Sequence, residues 1–133
     1  MSALEIVQQY YASFNRQDWQ GMLNLLHESV RHDANQGGSR TGKDLFAGFL
    51  AHMDHCYEEQ LTDMVFFAEP SNTRVAVEFT VNGRYKNTDG DLPEANGQRY
   101  VLPAGAFLEI EDGKIIRVTT YYNLPLWMEL VRR

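Results

Sequence analysis

The chain has 133 residues, 44% apolar and 23% charged, and its twelve basic against eighteen acidic side chains give a net charge of −6. A chain of this size buries roughly 70% of its unfolded surface, so residues 1–133 are expected to form one soluble domain. The acidic balance, without any Lys/Arg cluster, excludes nucleic acid as a partner, and no run nears the roughly 20 apolar residues of a membrane span.

The start, Met1-Ser2-Ala3-Leu4-Glu5, lacks the basic and apolar regions of a signal peptide, and Cys56 is the sole cysteine. A cytoplasmic location is therefore expected. Leu4, Val7, Tyr11 and Phe14 recur at helical spacing and predict a first helix over about residues 3–16, with Ser2 and Glu5 as a capping box. Asp18 caps a second helix carrying Trp19, Met22, Leu23 and Leu26. A short strand over about residues 29–35 leads to the turn Gln36-Gly37-Gly38-Ser39. Thr41 is the expected cap of a third helix, whose stripe is Leu45, Phe46, Phe49, Leu50 and Met53.

Beyond about residue 57 the pattern changes to strands. Leu61–Glu69 is β-rich, and Arg74–Tyr85 alternates, with Val75, Val77 and Phe79 on one face and Glu78, Thr80 and Asn82 on the other. Lys86–Gln98 is polar and turn-rich. Arg99–Glu111 and Lys114–Asn123 pair around Asp112-Gly113, and Leu124–Val131 closes as a short helix. Helices followed by strands give an α+β fold, three N-terminal helices packed on a curved, mainly antiparallel sheet. Strand parity places Val75, Val77 and Phe79 inward, with Phe107, Val118, Thr120 and Tyr122, while Tyr57 and Glu59 reach the rim. Glu78 and Thr80, on the outer face, suit a dimer interface or water.

Other constellations are weaker. His52, Asp54 and His55 stand within one helical turn, but no third ligand is fixed by spacing, so neither metal nor cofactor is expected. Gly37-Gly38 lacks the residues of a phosphate loop.

Several positions keep a shared order: Tyr10, Asn15, Asp18 and Gly21, then Asp33, Arg40, Thr41 and Gly42, then Pro103, Phe107, Gly113 and Lys114. This order resembles Δ5-3-ketosteroid isomerase and the SnoaL-like and NTF2-like cone-shaped (cystatin-like) domains. The runs Leu92–Gln98, Tyr100–Gly105 and Tyr121–Leu124 further resemble the ketosteroid-isomerase-related group. The resemblance implies that Asp33 is a proton-accepting base and Tyr10 the donor to an enolate oxygen, in a pocket walled by Phe79, Phe107, Val118, Thr120, Tyr122 and Tyr57. The second oxyanion acid of the isomerases falls at Gly105, which carries no donor, so the implied chemistry is enolisation, isomerisation or cyclisation of a small apolar carbonyl compound rather than steroid isomerisation itself. Epoxide hydrolysis is a variant. A homodimer is expected from the same resemblance. Asp33 capping a turn and Tyr10 packing the core are the structural alternatives, and a non-catalytic ligand-binding or association domain is the functional one.

Overall fold

The computed structural model describes every residue except Gln36 and Arg133. Gln36, expected in the turn after the first strand, therefore lies outside the described residues. Helix α1 (Ala3–Asn15) starts at the capping box: the Ser2 hydroxyl accepts the Glu5 amide and the Glu5 carboxylate accepts the Ser2 amide. Asp18 caps α2 (Trp19–Asn24) through the Gly21 amide. Strand β1 (Leu26–Ala34) begins earlier than its sequence pattern suggests, and β2 (Ser39–Thr41) is a short return strand. The cap of α3 (Lys43–Cys56) is Gly42 rather than Thr41. Gly42 takes φ 109, a conformation that only glycine reaches without strain, and Thr41 is left to end β2.

Strand β3 (Tyr57–Ala68) follows α3 with no intervening residue, because Tyr57 leaves the helix in extended conformation. Then come β4 (Arg74–Tyr85), β5 (Arg99–Glu111), β6 (Lys114–Tyr122) and α4 (Leu124–Val131). Asp112 and Gly113, at φ 52 and 75, form the β5–β6 turn with the positive dihedrals that suit a tight hairpin.

The six strands form one curved sheet in the order β2-β1-β6-β5-β4-β3, antiparallel except for the β1–β6 pair. Helices cover one face. On that face Tyr11 of α1 packs on Phe66 and Phe79, and His32 of β1 packs on Phe46 and Phe49 of α3. Residues directly opposite each other across a strand pair share a face, so the register assigns every side chain to the inner or the outer surface. His32, Val118, Leu108 and Val75 form one inner row, and Ala34, Thr120, Ala106 and Val77 the next. Tyr122, Ala104 and Phe79 follow, and then, at one end of the cone, Glu59, Gly83 and Tyr100. The buried row Leu61, Val81 and Leu102 and the pair Tyr57 and Tyr85 also face inward, and the rows alternating with these face outward.

Candidate functional site

The two residues expected to meet at a site stand on opposite sides of the sheet. Tyr10 lies beneath the inner face, 4% exposed and edge-on to Tyr11 at 5.0 Å between ring centroids. Burial, then the neighbouring Tyr11, raises its phenol well above the ordinary range, so it remains a hydrogen-bond donor at any working pH. Asp33 pairs with Thr119, which pairs with Phe107, and that row faces outward. Phe107 is 51% exposed and packs edge-on against Tyr121, so it is outer surface rather than pocket wall. Gly105 also faces outward. Its inward neighbours are Ala104 and Ala106, and neither carries a donor.

Asp33 belongs to a ladder of polar contacts across that outer face. Arg74 and Arg117 both bind Glu109, Arg117 donates to the Thr119 hydroxyl, and Thr119 donates to Asp33 Oδ2 at 2.8 Å. Arg31 Nε donates to Asp33 Oδ1 at 3.0 Å. Burial is the largest single influence on the carboxyl and acts upward, but the bonds from Ser39, Thr119 and Arg31 together outweigh it and hold Asp33 at about 2. Such a carboxylate is a weak base. Its neighbour takes the inward place: His32 is 3% exposed. An arginine only donates, so the contact of Arg40 Nη1 with His32 Nδ1 at 3.3 Å makes Nδ1 the acceptor and leaves the proton on Nε2. Burial, reinforced by the Arg40 charge, lowers His32 to about 4, so it is neutral at pH 7.

Apart from His32, the inner face of the sheet carries its ionisable groups at the end covered by α4. Tyr100 of β5 reaches across Gly83 of β4 to Glu59 of β3, its phenol donating to Oε2 at 2.5 Å. Glycine is required there: a Cβ on Gly83 would stand 2.2 Å from the Tyr100 ring. Burial raises the Glu59 carboxyl despite the opposing bond from Tyr100. Burial, then the charge of Glu59, likewise raises Tyr100, so the phenol keeps its proton and points it at the carboxylate. Trp127 of α4 packs edge-on against Tyr57, Tyr85 and Tyr100.

Tyr122 opens this cluster to the outside at 38% exposure. Its phenol is raised by burial and then by the charges of Glu59 and Asp89, which places it in the field of both carboxylates. Asn35 accepts the Tyr122 amide at 2.9 Å through Oδ1, while its buried Nδ2 has no partner among the described residues. A further donor therefore sits beside Tyr122.

The polar loop between β4 and β5 closes the same end. The Tyr85 hydroxyl donates to the Pro93 carbonyl at 2.7 Å and accepts the Asp89 amide, and Leu92 and Ala95 pack on the core. Tyr57 lies stacked on Tyr85 and donates to Asp89 Oδ2 at 2.7 Å.

Of the expected wall residues, Phe79, Val118, Thr120, Tyr122 and Tyr57 share the inner face and Phe107 does not; the expected base Asp33 also lies outside it. Sequence reading placed Glu59 only at the rim and missed Tyr100, Asp89 and Trp127. Parity from the buried Leu61 puts Glu59 on the inner face, but its partners come from strands about forty residues away and from a loop without periodicity.

An α+β cone of N-terminal helices on one curved six-stranded sheet, closed by a short C-terminal helix, is an NTF2-like fold. The chain matches the SnoaL-like domain over residues 7–118 and belongs to that family. It is 53% identical to a proposed polyketide cyclase from Pseudomonas putida KT2440, with 98% of each chain covered and a TM-score of 0.97. A second proposed polyketide cyclase, from Xanthomonas campestris pv. campestris, is 52% identical over 97% of this chain and 96% of that one, with a TM-score of 0.94. A protein of ketosteroid isomerase-like fold from Catenulispora acidiphila DSM 44928, in complex with trimethylamine, shares 18% identity over 96% of this chain and 92% of its own, with a TM-score of 0.77, a likeness of fold alone. No curated protein matches the chain.

Proposed function

We propose that residues 1–133 act as one domain that isomerises or cyclises a small apolar carbonyl compound through an enolate, with Glu59 as the proton-transfer group. The observation that carries this reading is the Glu59–Tyr100 pair: a half-buried carboxyl with a raised pKa, held by a phenol at 2.5 Å on the face lined by Phe79, Val118 and Thr120. Ionised Glu59 takes a proton from the carbon beside the substrate carbonyl, and the electron pair of that C–H bond becomes the enolate. Tyr122 donates to the developing oxyanion, and Tyr10 is a second candidate donor from α1. Glu59 then returns its proton to another carbon, which isomerises the substrate, or the enolate carbon attacks a second carbonyl and closes a ring, Glu59 returning its proton to the alkoxide that forms. Asp33 has no part in this scheme. Two strongly similar proposed polyketide cyclases support the same chemical class.

A second reading, a binding domain without turnover, is favoured by Ala104 and Ala106, which leave the inner wall without the second acid of the isomerases. One experiment separates the two. Small cyclic ketones and β-diketones are incubated with the protein in D2O, and loss of their α-protons is followed by NMR. The wild-type protein is expected to accelerate exchange, and Glu59→Gln to lower that rate about a hundred- to ten-thousandfold. Equal rates for the two proteins would remove Glu59 from the mechanism. A ligand held tightly but never exchanged would favour the binding domain. A homodimer formed through the outer sheet face and a cytoplasmic location complete the proposal, the latter supported by the single cysteine.

A further inference from the structure

Beside the Glu59 cluster lies a group of side chains that the proposed chemistry does not use. His52 and Cys56 are four residues apart on the last turns of α3 and therefore share a face. Asp89, from the β4–β5 loop, comes down on that face. His52 Nε2 stands 2.7 Å from Asp89 Oδ1 and 3.9 Å from Cys56 Sγ, and the three ligand atoms all lie within 4.8 Å of one another. Histidine and cysteine four apart on a helix, joined by a carboxylate from a distant loop, are a ligand set that spacing alone does not reveal.

We propose that His52, Cys56 and Asp89 form a binding site for a zinc-like divalent cation. Bond lengths of about 2.0 Å to nitrogen and oxygen and about 2.3 Å to sulfur put the ligand atoms of a tetrahedral zinc ion roughly 3.2–3.8 Å apart. The site reaches this arrangement when the direct His52–Asp89 contact opens by about half an ångström and the widest separation, up to 4.8 Å, closes by about one. Nitrogen, sulfur and oxygen donors together select a borderline ion over magnesium or calcium, which prefer oxygen alone. The carboxylate is already oriented, since the Tyr57 hydroxyl holds Asp89 Oδ2 at 2.7 Å and leaves Oδ1 facing His52. The Asp89 amide is fixed by the Tyr85 hydroxyl at 2.9 Å. His52 keeps half of its side chain in solvent, which supplies an entry path and a fourth position for water or an external ligand. On binding, the Cys56 thiol gives up its proton to solvent and its sulfur forms the bond to the metal. Three protein ligands and an open fourth position resemble a reactive site more than a closed structural one.

The site is independent of the isomerase reading, and its test uses no turnover. Metal-free protein is titrated with Zn2+ by calorimetry and with Co2+ by absorption spectroscopy. The expected result is one ion per chain, with thiolate-to-cobalt charge-transfer absorption and the visible bands of a tetrahedral ion. His52→Gln and Asp89→Asn should each weaken binding at least about a hundredfold. Cys56→Ser should remove the charge-transfer band, and His55→Gln, one residue outside the set, should leave binding unchanged. His52 is solvent-exposed, so its variant keeps the fold, which a circular dichroism spectrum verifies. No stoichiometric binding by the wild-type protein would overturn the proposal. Binding that survives His52→Gln, or that falls equally with His55→Gln, would do the same.

Discussion

Glu59 and Asp33 are both carboxylates on strands of one sheet, and their surroundings drive them in opposite directions. Asp33 accepts hydrogen bonds from Thr119 and Arg31 and titrates at about 2, below its ordinary 3.8. A depressed carboxyl contributes stability that is present above its unfolded pKa and lost as the pH falls through its folded one. Asp33→Asn should therefore lower stability at pH 7 by about 1–2 kcal/mol, the worth of charged hydrogen bonds on a partly exposed face. The difference between the two proteins should close between about pH 4 and pH 2, as measured by denaturant unfolding across pH. An equal loss below pH 2 would show that the ladder of contacts does not depend on the Asp33 charge.

The residue-level misreading has a physical cause. Successive residues of a strand point to opposite faces, so Asp33, beside the inward His32, faces outward with Thr119. Val30, fully buried, and His32 fix the even-numbered positions as inward from Val30 onward, and the apolar Val30 was the signal in the sequence. In β5 Phe107 was placed inward by strand parity, while Leu102, Leu108 and Ile110 against Glu109 and Glu111 already marked the odd positions as outer.

At the scale of elements, helices were legible because caps and a 3.6-residue period are local. Ser2, Asp18 and the Asp112-Gly113 turn stand as their chemistry suggests. Strand partnership was not legible, since β1 pairs parallel with β6 across most of the chain and its register shifts between Leu26 and Arg31. The element that carries the site is the three-strand row Glu59–Gly83–Tyr100. Gly83→Ala would drive a methyl group into the Tyr100 ring. It is expected to cost about 1–3 kcal/mol in stability, as overpacking does, and to release Glu59 from its phenol. The check is denaturant unfolding together with the exchange assay. A variant of wild-type stability and activity would mean that Tyr100 does not need the glycine.

For the whole molecule, the informative surface is the outer face of the sheet. Phe67, Phe107 and Tyr121 are each more than half exposed there, beside the Arg74–Glu109–Arg117 ladder and above a groove of about 490 Å³. An apolar patch rimmed by charges of both signs suits a second copy of the chain placed around a twofold axis. Phe107→Asp should convert a dimer to monomer in light scattering while leaving the fold intact. A wild-type protein that is monomeric at high concentration would exclude this interface. Among the described residues no helix is long and apolar enough to cross a membrane.

The measurement that bears most directly on the proposed site is a carbon-13 NMR titration of the Glu59 and Asp33 carboxyls in the intact protein. The site described here requires Glu59 to titrate above the usual glutamate value of about 4.3 while Asp33 titrates near 2. A Glu59 carboxyl at or below the usual value would contradict its desolvation beside Tyr100 and remove it as the proton-transfer group.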